Sequence, residues 1–148
     1  MIIDKFDGEY AFLSNFFNSN FTLELQIWPT VEHWYQAHKT KNFVMQEIVR
    51  HSNSAYLAKK QGRKLLLRED WNDDLALEIM YQGVKAKFDQ NYLLRKKLVA
   101  TGDAELIEGN TWNDTFWGVC NGRGKNNLGK ILMRIREEYI RGNNVKLE

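Results

Sequence analysis

Phe21-Thr22-Leu23-Glu24-Leu25-Gln26-Ile27-Trp28-Pro29-Thr30 is the stretch on which the reading of the fold turns. Phe21, Leu23, Leu25 and Ile27 alternate with Thr22, Glu24 and Gln26, the period of a half-buried strand. Pro29-Thr30 ends that strand, and Thr30 is a good N-cap for a helix expected to run to about Lys41. Upstream, Asp7-Gly8 predicts a turn before Glu9-Tyr10-Ala11-Phe12-Leu13, and Asn18-Ser19-Asn20 a second, so the first thirty residues read as strands and turns. Downstream, short helices are expected near Val44–His51 and Ser54–Gln61, the second closed by Gly62. Caps at Asp70–Asn72 open a longer helix to about Phe88, with Leu75, Ala76, Ile79, Met80 and Val84 as its apolar stripe. Asn91–Ala100 reads as a helix closed by Thr101-Gly102, and Ala104–Glu108 as a short strand. A loop rich in Gly and Asn then leads to a last helix starting near Leu128, with Ile131, Leu132, Ile135 and Tyr139 on one face. Strands first and helices afterwards, without βαβ alternation, predict an α+β fold, mostly helical with a small sheet.

The chain of 148 residues suits one domain with a sizeable core. One proline and no Ser/Gly-rich stretch give no place for a linker, so residues 1–148 are expected as a single compact domain. A hydrophobic fraction of 43% with 13% aromatics excludes disorder. Met1-Ile2-Ile3-Asp4-Lys5 lacks the apolar run of a signal peptide, and no later run approaches the roughly 20 residues of a membrane span. A single cysteine, Cys120, excludes an intramolecular disulfide, and no Cys/His cluster has metal spacing. These features point to a reducing cytoplasm, with no membrane partner, no metal and no structural zinc. A net charge of +2 is too small to declare a nucleic-acid binder. Basic residues do collect at Lys59, Lys60, Arg63, Lys64 and Arg68, at Arg95-Lys96-Lys97, and from Arg123 to Arg136. Solvated helix faces and a phosphate-bearing partner both account for them.

Three segments carry chemistry. In Thr30-Val31-Glu32-His33-Trp34-Tyr35-Gln36-Ala37-His38-Lys39, Glu32, Gln36 and Lys39 stand at i, i+4 and i+7 on one helical stripe. Val31, Trp34, Tyr35 and His38 form an adjoining bulky stripe. A carboxylate and an amine flanked by rings could act on a polar substrate with a flat ring; an exposed Glu/Lys pair is the plain alternative. In Asn110-Thr111-Trp112-Asn113-Asp114-Thr115-Phe116-Trp117-Gly118, the aromatics belong to the core or stack on a ligand. Asp114 among them is either a carboxyl with a raised pKa or an Asx-turn residue holding the loop. In Asn121-Gly122-Arg123-Gly124-Lys125-Asn126-Asn127-Leu128-Gly129-Lys130, glycines and cations before a helix could cradle phosphate, although neither phosphate-loop fingerprint is matched.

The ordered set of blocks resembles the NADAR (YbiA-like) family. The matching stretches are Gly8 to Phe16, Thr30 to Lys39, Lys85 to Asn91, Thr101-Gly102 with Leu106-Ile107-Glu108, Asp114 to Gly118, and Asn126 to Met133. The resemblance covers about Phe6 to Arg136. It implies a compact α+β fold and N-glycosidase activity without metal or redox cofactor. Two substrate classes follow from it: ADP-ribose on guanine in nucleic acid or nucleotides, and early phosphorylated riboflavin-synthesis intermediates. It further implies Lys39 as the residue forming a Schiff base at ribose C1, with Glu32 and Asp114 moving protons. Trp117, Trp34 and Tyr35 are expected to stack the base, Asn15 to bind a ribose hydroxyl, and Gln36 and Gly118 to contact substrate. Arg123, Lys125, Asn126 and Asn127 are expected to hold phosphate. A non-catalytic ADP-ribose reader retaining the pocket is the third possibility.

Overall fold

In the computed structural model, which describes residues 1–147, four helices begin where a side-chain oxygen accepts the amide three residues on. Thr30 accepts from His33 N–H, Asn42 from Met45, Ser54 from Leu57 and Asn72 from Leu75. Each such cap contributes about 1 kcal/mol. In chain order the elements are β1 (Ile2–Ile3), a 3₁₀ helix (Gly8–Leu13), β2 (Phe21–Leu23) and β3 (Gln26–Trp28). Helices α1 (Val31–Ala37), α2 (Phe43–Arg50), α3 (Ala55–Arg63), α4 (Asp73–Gln90) and α5 (Tyr92–Ala100) follow, then β4 (Glu105–Leu106) and α6 (Asn127–Leu147). The expected α+β class, mostly helical, is the one observed.

The chain divides into two compact units. In the first, Asn15–Asn91, α1 is packed against α2, α3, α4 and β3. Every residue of α1 is buried, which a seven-residue helix reaches only when neighbours cover all its faces. Its polar side chains therefore need partners inside the protein. His33 meets the Thr30 hydroxyl at 2.8 Å and the Ser52 carbonyl at 3.0 Å, which ties α1 to the turn before α3. Burial holds the His33 pKa below its ordinary value. The Trp34 indole N–H donates to the Ile79 carbonyl, and its ring lies against Gly83 of α4, where a Cβ would come within 2.4 Å of it.

The predicted single strand over Phe21–Ile27 is instead a hairpin. Glu24 and Leu25 have φ of 55° and 63°, as the favoured two-residue hairpin turn requires at both positions. The chain folds back so that Phe21 pairs with Trp28, both 2% exposed, while Leu25 is 97% exposed. Apolar alternation across a turn imitated one continuous strand. Three other expectations shift. Glu9–Leu13 lies in the 3₁₀ helix rather than a strand, α1 stops at Ala37 rather than Lys41, and Gly62 sits inside α3 rather than closing it.

The second unit combines Met1–Ser14 with the segment from Tyr92 onward. Strands β1 and β4 pair in parallel, Ile2 with Glu105 and Ile3 with Leu106. Helices α5 and α6 pack together, and α6 packs on β4. Leu98, Leu106, Leu132 and Ile135 are fully buried here. Gly129 lets α6 approach the strand, since a Cβ there would lie 2.1 Å from the Leu106 carbonyl oxygen.

Candidate active site

Glu32 enters the first unit in the opening turn of α1 and is 7% exposed. Its backbone N–H donates to the Asn15 carbonyl at 3.1 Å, and the Asn15 amide reaches the Met80 sulfur at 3.3 Å. Asn15 is thereby fixed beside Glu32. One turn on, Gln36 Nε2 donates to Glu32 Oε1 at 3.3 Å, the i, i+4 contact anticipated from spacing. The other half of that carboxamide, Oε1, is buried without a hydrogen-bond partner. It faces Gly62 of α3, where a Cβ would lie 2.0 Å away. The glycine thus lets α3 press on Gln36, and Gln36 in turn fixes one oxygen of Glu32.

Lys39 lies just past the end of α1. Its amide donates back to the Gln36 carbonyl at 3.3 Å, and its carbonyl accepts from Arg68 N–H at 2.8 Å. The Arg68 guanidinium also donates to the His38 carbonyl while paired two-fold with Asp70. The turn carrying Lys39 is therefore held from both sides. The amine stands 5.4 Å from the centre of the Tyr35 ring. Burial lowers its pKa below the ordinary lysine value. The nearby charge of Glu32 pulls it back up, and Arg63 and Lys59 of α3 push it down again. Desolvation disfavours the ammonium, so the neutral, nucleophilic amine gains population.

The remaining expected residues divide by placement. Tyr35 is buried under Lys39 and meets Trp71 edge-on, 5.8 Å between centres. Trp34, 2% exposed and bonded to Ile79, belongs to the core of its unit. In the second unit, Asp114 Oδ1 accepts from the amides of Phe116 at 3.1 Å and Trp117 at 2.9 Å, the geometry of an Asx turn. Its main chain is held by the Asn110 side chain in both directions. Trp117 is half-buried, edge-on to Phe116. Gly118 is a close approach, where a Cβ would lie 1.7 Å from Glu108 Oε2.

The stretch expected to cradle phosphate is a ladder of backbone bonds. Lys125 N–H donates to Thr115, Asn126 to Gly118, Asn127 to Phe116 and Leu128 to Trp117, at 2.8 to 3.3 Å. The Asn126 side chain is also committed, accepting from Glu108 N–H and donating to the Leu106 carbonyl. Arg123 and Lys125 are exposed, with the Lys125 amine 5.7 Å from the Phe116 ring centre. Among the described residues no cluster of three or more His, Cys, Asp or Glu is arranged to hold a metal, and no helix is long and apolar enough to cross a membrane.

Sequence reading missed two features near Lys39. Gly62 looked like a helix stop, and Lys59 and Arg63 looked like two of five cations in a basic run. Their i, i+4 spacing was the available signal, but only the packing of α3 on α1 shows which face meets Lys39. Buried Lys87 of α4, 1% exposed and with its pKa lowered to about 7 by burial, also went unmarked.

Comparison with known proteins agrees with this architecture. The NADAR domain matches residues 3–140. N-glycosidase YbiA of Shigella flexneri serotype 5b is 38% identical over 133 residues, covering 88% of this chain and 82% of that protein. A riboflavin biosynthesis protein of Vibrio vulnificus is 41% identical over 135 residues, 89% of this chain. The chain spans only 36% of that relative's length. The solution structure of Escherichia coli YbiA superposes with a TM-score of 0.85 at 32% identity, over 97% of this chain and 89% of that one. By sequence and by structure alike, the chain belongs to the NADAR domain family, the family of these N-glycosidases.

Proposed function

We propose that the chain hydrolyses the bond between C1 of a ribose and a nitrogen, and that its substrate is ADP-ribose attached to a guanine base. The observation carrying this reading is the Lys39 amine, desolvated, lying near the Tyr35 ring and within electrostatic reach of the Glu32 carboxylate. That pairing supplies a nucleophile and a proton carrier. With its proton passed to the Glu32 carboxylate, the Lys39 amine attacks C1 and the C1–nitrogen bond breaks, its electron pair leaving on the base nitrogen, which takes that proton from Glu32. The lysine nitrogen loses a proton and the ring oxygen gains one, so the sugar opens to a protonated imine at C1. Water, giving a proton to the Glu32 carboxylate, adds to C1; the new hydroxyl then passes its proton to the lysine nitrogen as the C1–lysine bond breaks, and the sugar leaves as the aldehyde with the neutral amine restored. Gln36, holding Glu32 Oε1, keeps the carboxylate in one orientation across both proton transfers. Asp114, with Oδ1 engaged by two amides, is assigned to shaping its own loop.

The test is mass spectrometry of the products from an oligonucleotide bearing ADP-ribosyl-guanine, with Lys39→Ala alongside. Free ADP-ribose and restored guanine with the native chain alone support the reading. Release by both proteins removes the Schiff base, and release by neither removes the substrate. A second reading, hydrolysis of phosphorylated riboflavin-synthesis intermediates, draws support from the name of the Vibrio relative. The same assay run on those intermediates separates the two.

A further inference from the structure

We propose that Lys59 and Arg63, one turn apart on α3, form the subsite that receives the phosphate carried by the ribosyl substrate, in place of the glycine-rich stretch 121–130. The proposal rests on the ribosyl-substrate reading above and adds where the substrate's negative charge is held.

The first argument is what the glycine-rich stretch has already committed. An anion cradle needs backbone N–H groups pointing outward. Here the amides of Lys125, Asn126, Asn127 and Leu128 all donate to carbonyls of residues 115–118. The Asn126 carboxamide is spent on Glu108 and Leu106. A phosphate there would have to break bonds that hold α6 to the preceding loop.

The second argument is the placement of α3. Ala55, Ala58 and Gly62 are buried, and the close approach of Gly62 to Gln36 fixes how α3 meets α1. Lys59 and Arg63 share one stripe along the edge of that contact. The Lys59 amine stands 5.9 Å from the centre of the Phe16 ring, and Phe16 follows Asn15, whose carbonyl accepts the Glu32 amide. Both cations act electrostatically on the Lys39 amine. Lys60, one residue along the helix, instead has its amine 5.8 Å from the Tyr56 ring on the exposed side.

The third argument is charge balance. Lys39, Lys59 and Arg63 bring three basic groups around one carboxylate, Glu32, and among the described residues Arg63 makes no ion pair. Because Lys39 and Glu32 hold one exchangeable proton between them and carry no net charge together, Lys59 and Arg63 leave about two positive charges, which matches a phosphate monoester or pyrophosphate, roughly −2 at neutral pH. A phosphate on C5 of the ribose that Lys39 engages at C1 lies one sugar ring away, and Lys59 and Arg63 are the cations that act on Lys39. The arginine fork suits phosphate in two-point contact, and the lysine adds a point charge.

The experiment compares two substrates, a guanine nucleoside carrying ADP-ribose and the same nucleoside carrying plain ribose, for native chain and K59Q/R63Q. Taking the ratio of kcat/KM for the two substrates cancels any change in Lys39 itself. The double variant is expected to lower that ratio at least tenfold, from the loss of charged contacts to phosphate. An unchanged ratio overturns the proposal. Calorimetric binding of inorganic pyrophosphate to both proteins decides the subsite even if neither substrate is cleaved, which would sink the substrate reading instead. Binding to native chain that weakens at least tenfold in K59Q/R63Q supports the subsite, and equal or absent binding in both overturns it. A loss confined to oligonucleotide substrates, shared with K60Q/K64Q, assigns these cations to backbone phosphate and likewise overturns the proposal.

Discussion

Gly62→Ala tests the link between helix packing and the Glu32 carboxylate. In a helix interior, alanine is favoured over glycine by about 1 kcal/mol, so an uncrowded site would be stabilised. Here the new Cβ would stand 2.0 Å from Gln36 Oε1, 2.7 Å from its Cδ and 2.8 Å from its Cβ. Rotating the carboxamide relieves the first two contacts but not the third, which is set by the backbone of α1. Overpacking of this kind costs about 1–3 kcal/mol, and pulling Gln36 Nε2 away from a buried carboxylate adds about 1–3 kcal/mol. Against the propensity gain, the net loss is about 1–5 kcal/mol, a fall of roughly 3–15 °C in Tm for a chain of this size. The assay is thermal and urea unfolding of G62A, Q36A and the double variant. With Gln36 truncated only the 2.8 Å contact survives, so G62A is expected to cost at least 1 kcal/mol less in that background, a coupling of contacting residues. A Tm that rises in G62A, or penalties that simply add, would refute the packing argument.

Asp114→Asn keeps an oxygen acceptor for the Phe116 and Trp117 amides, so activity is expected to stay within about threefold, while Asp114→Ala loses about 1–2 kcal/mol of stability; a hundredfold fall in kcat for the Asn variant would make Asp114 a proton carrier instead. In the proposed mechanism, kcat/KM should rise with pH along a limb below the ordinary lysine range, because burial lowers the Lys39 pKa. Removing a neighbouring positive charge in K59Q raises that pKa, so the limb should move to higher pH, and a limb that moves down or stays would contradict the assignment. Leu25→Gly relieves a left-handed backbone at a fully exposed tip; it should raise stability by up to about 1 kcal/mol, read by urea unfolding, with no change in activity.

The legible parts of this protein are those whose hydrogen bonds close within a few residues. Thr30, Asn42, Ser54 and Asn72 each cap the third amide beyond them, which made the starts after Thr30 and Asn72 readable, while the helix capped by Asn42 begins at Phe43 rather than the expected Val44. Glu32 and Gln36 meet at i, i+4 for the same reason, whereas the alternation between residues 21 and 27 located strand residues but misassigned both continuity and the buried face, since Leu25 and Ile27 are exposed. Two consecutive residues of positive φ, neither of them glycine or asparagine, carry no compositional signal, which hid the hairpin. Whether Trp34 stacks on a ligand or fills a core depends on Gly83 and Ile79 of α4, residues far along the chain. Likewise, the amides of residues 125–128 look available until the carbonyls of 115–118 are brought against them. Lys39 follows the helix that carries Glu32, but its pKa is lowered first by burial and then by Arg63 and Lys59, against the upward pull of Glu32. Sequence alone determined the residue types and the helical frame that carry the chemistry. Tertiary structure decided which of them are desolvated and which charges they face, because burial and field are sums over neighbours that local spacing does not contain.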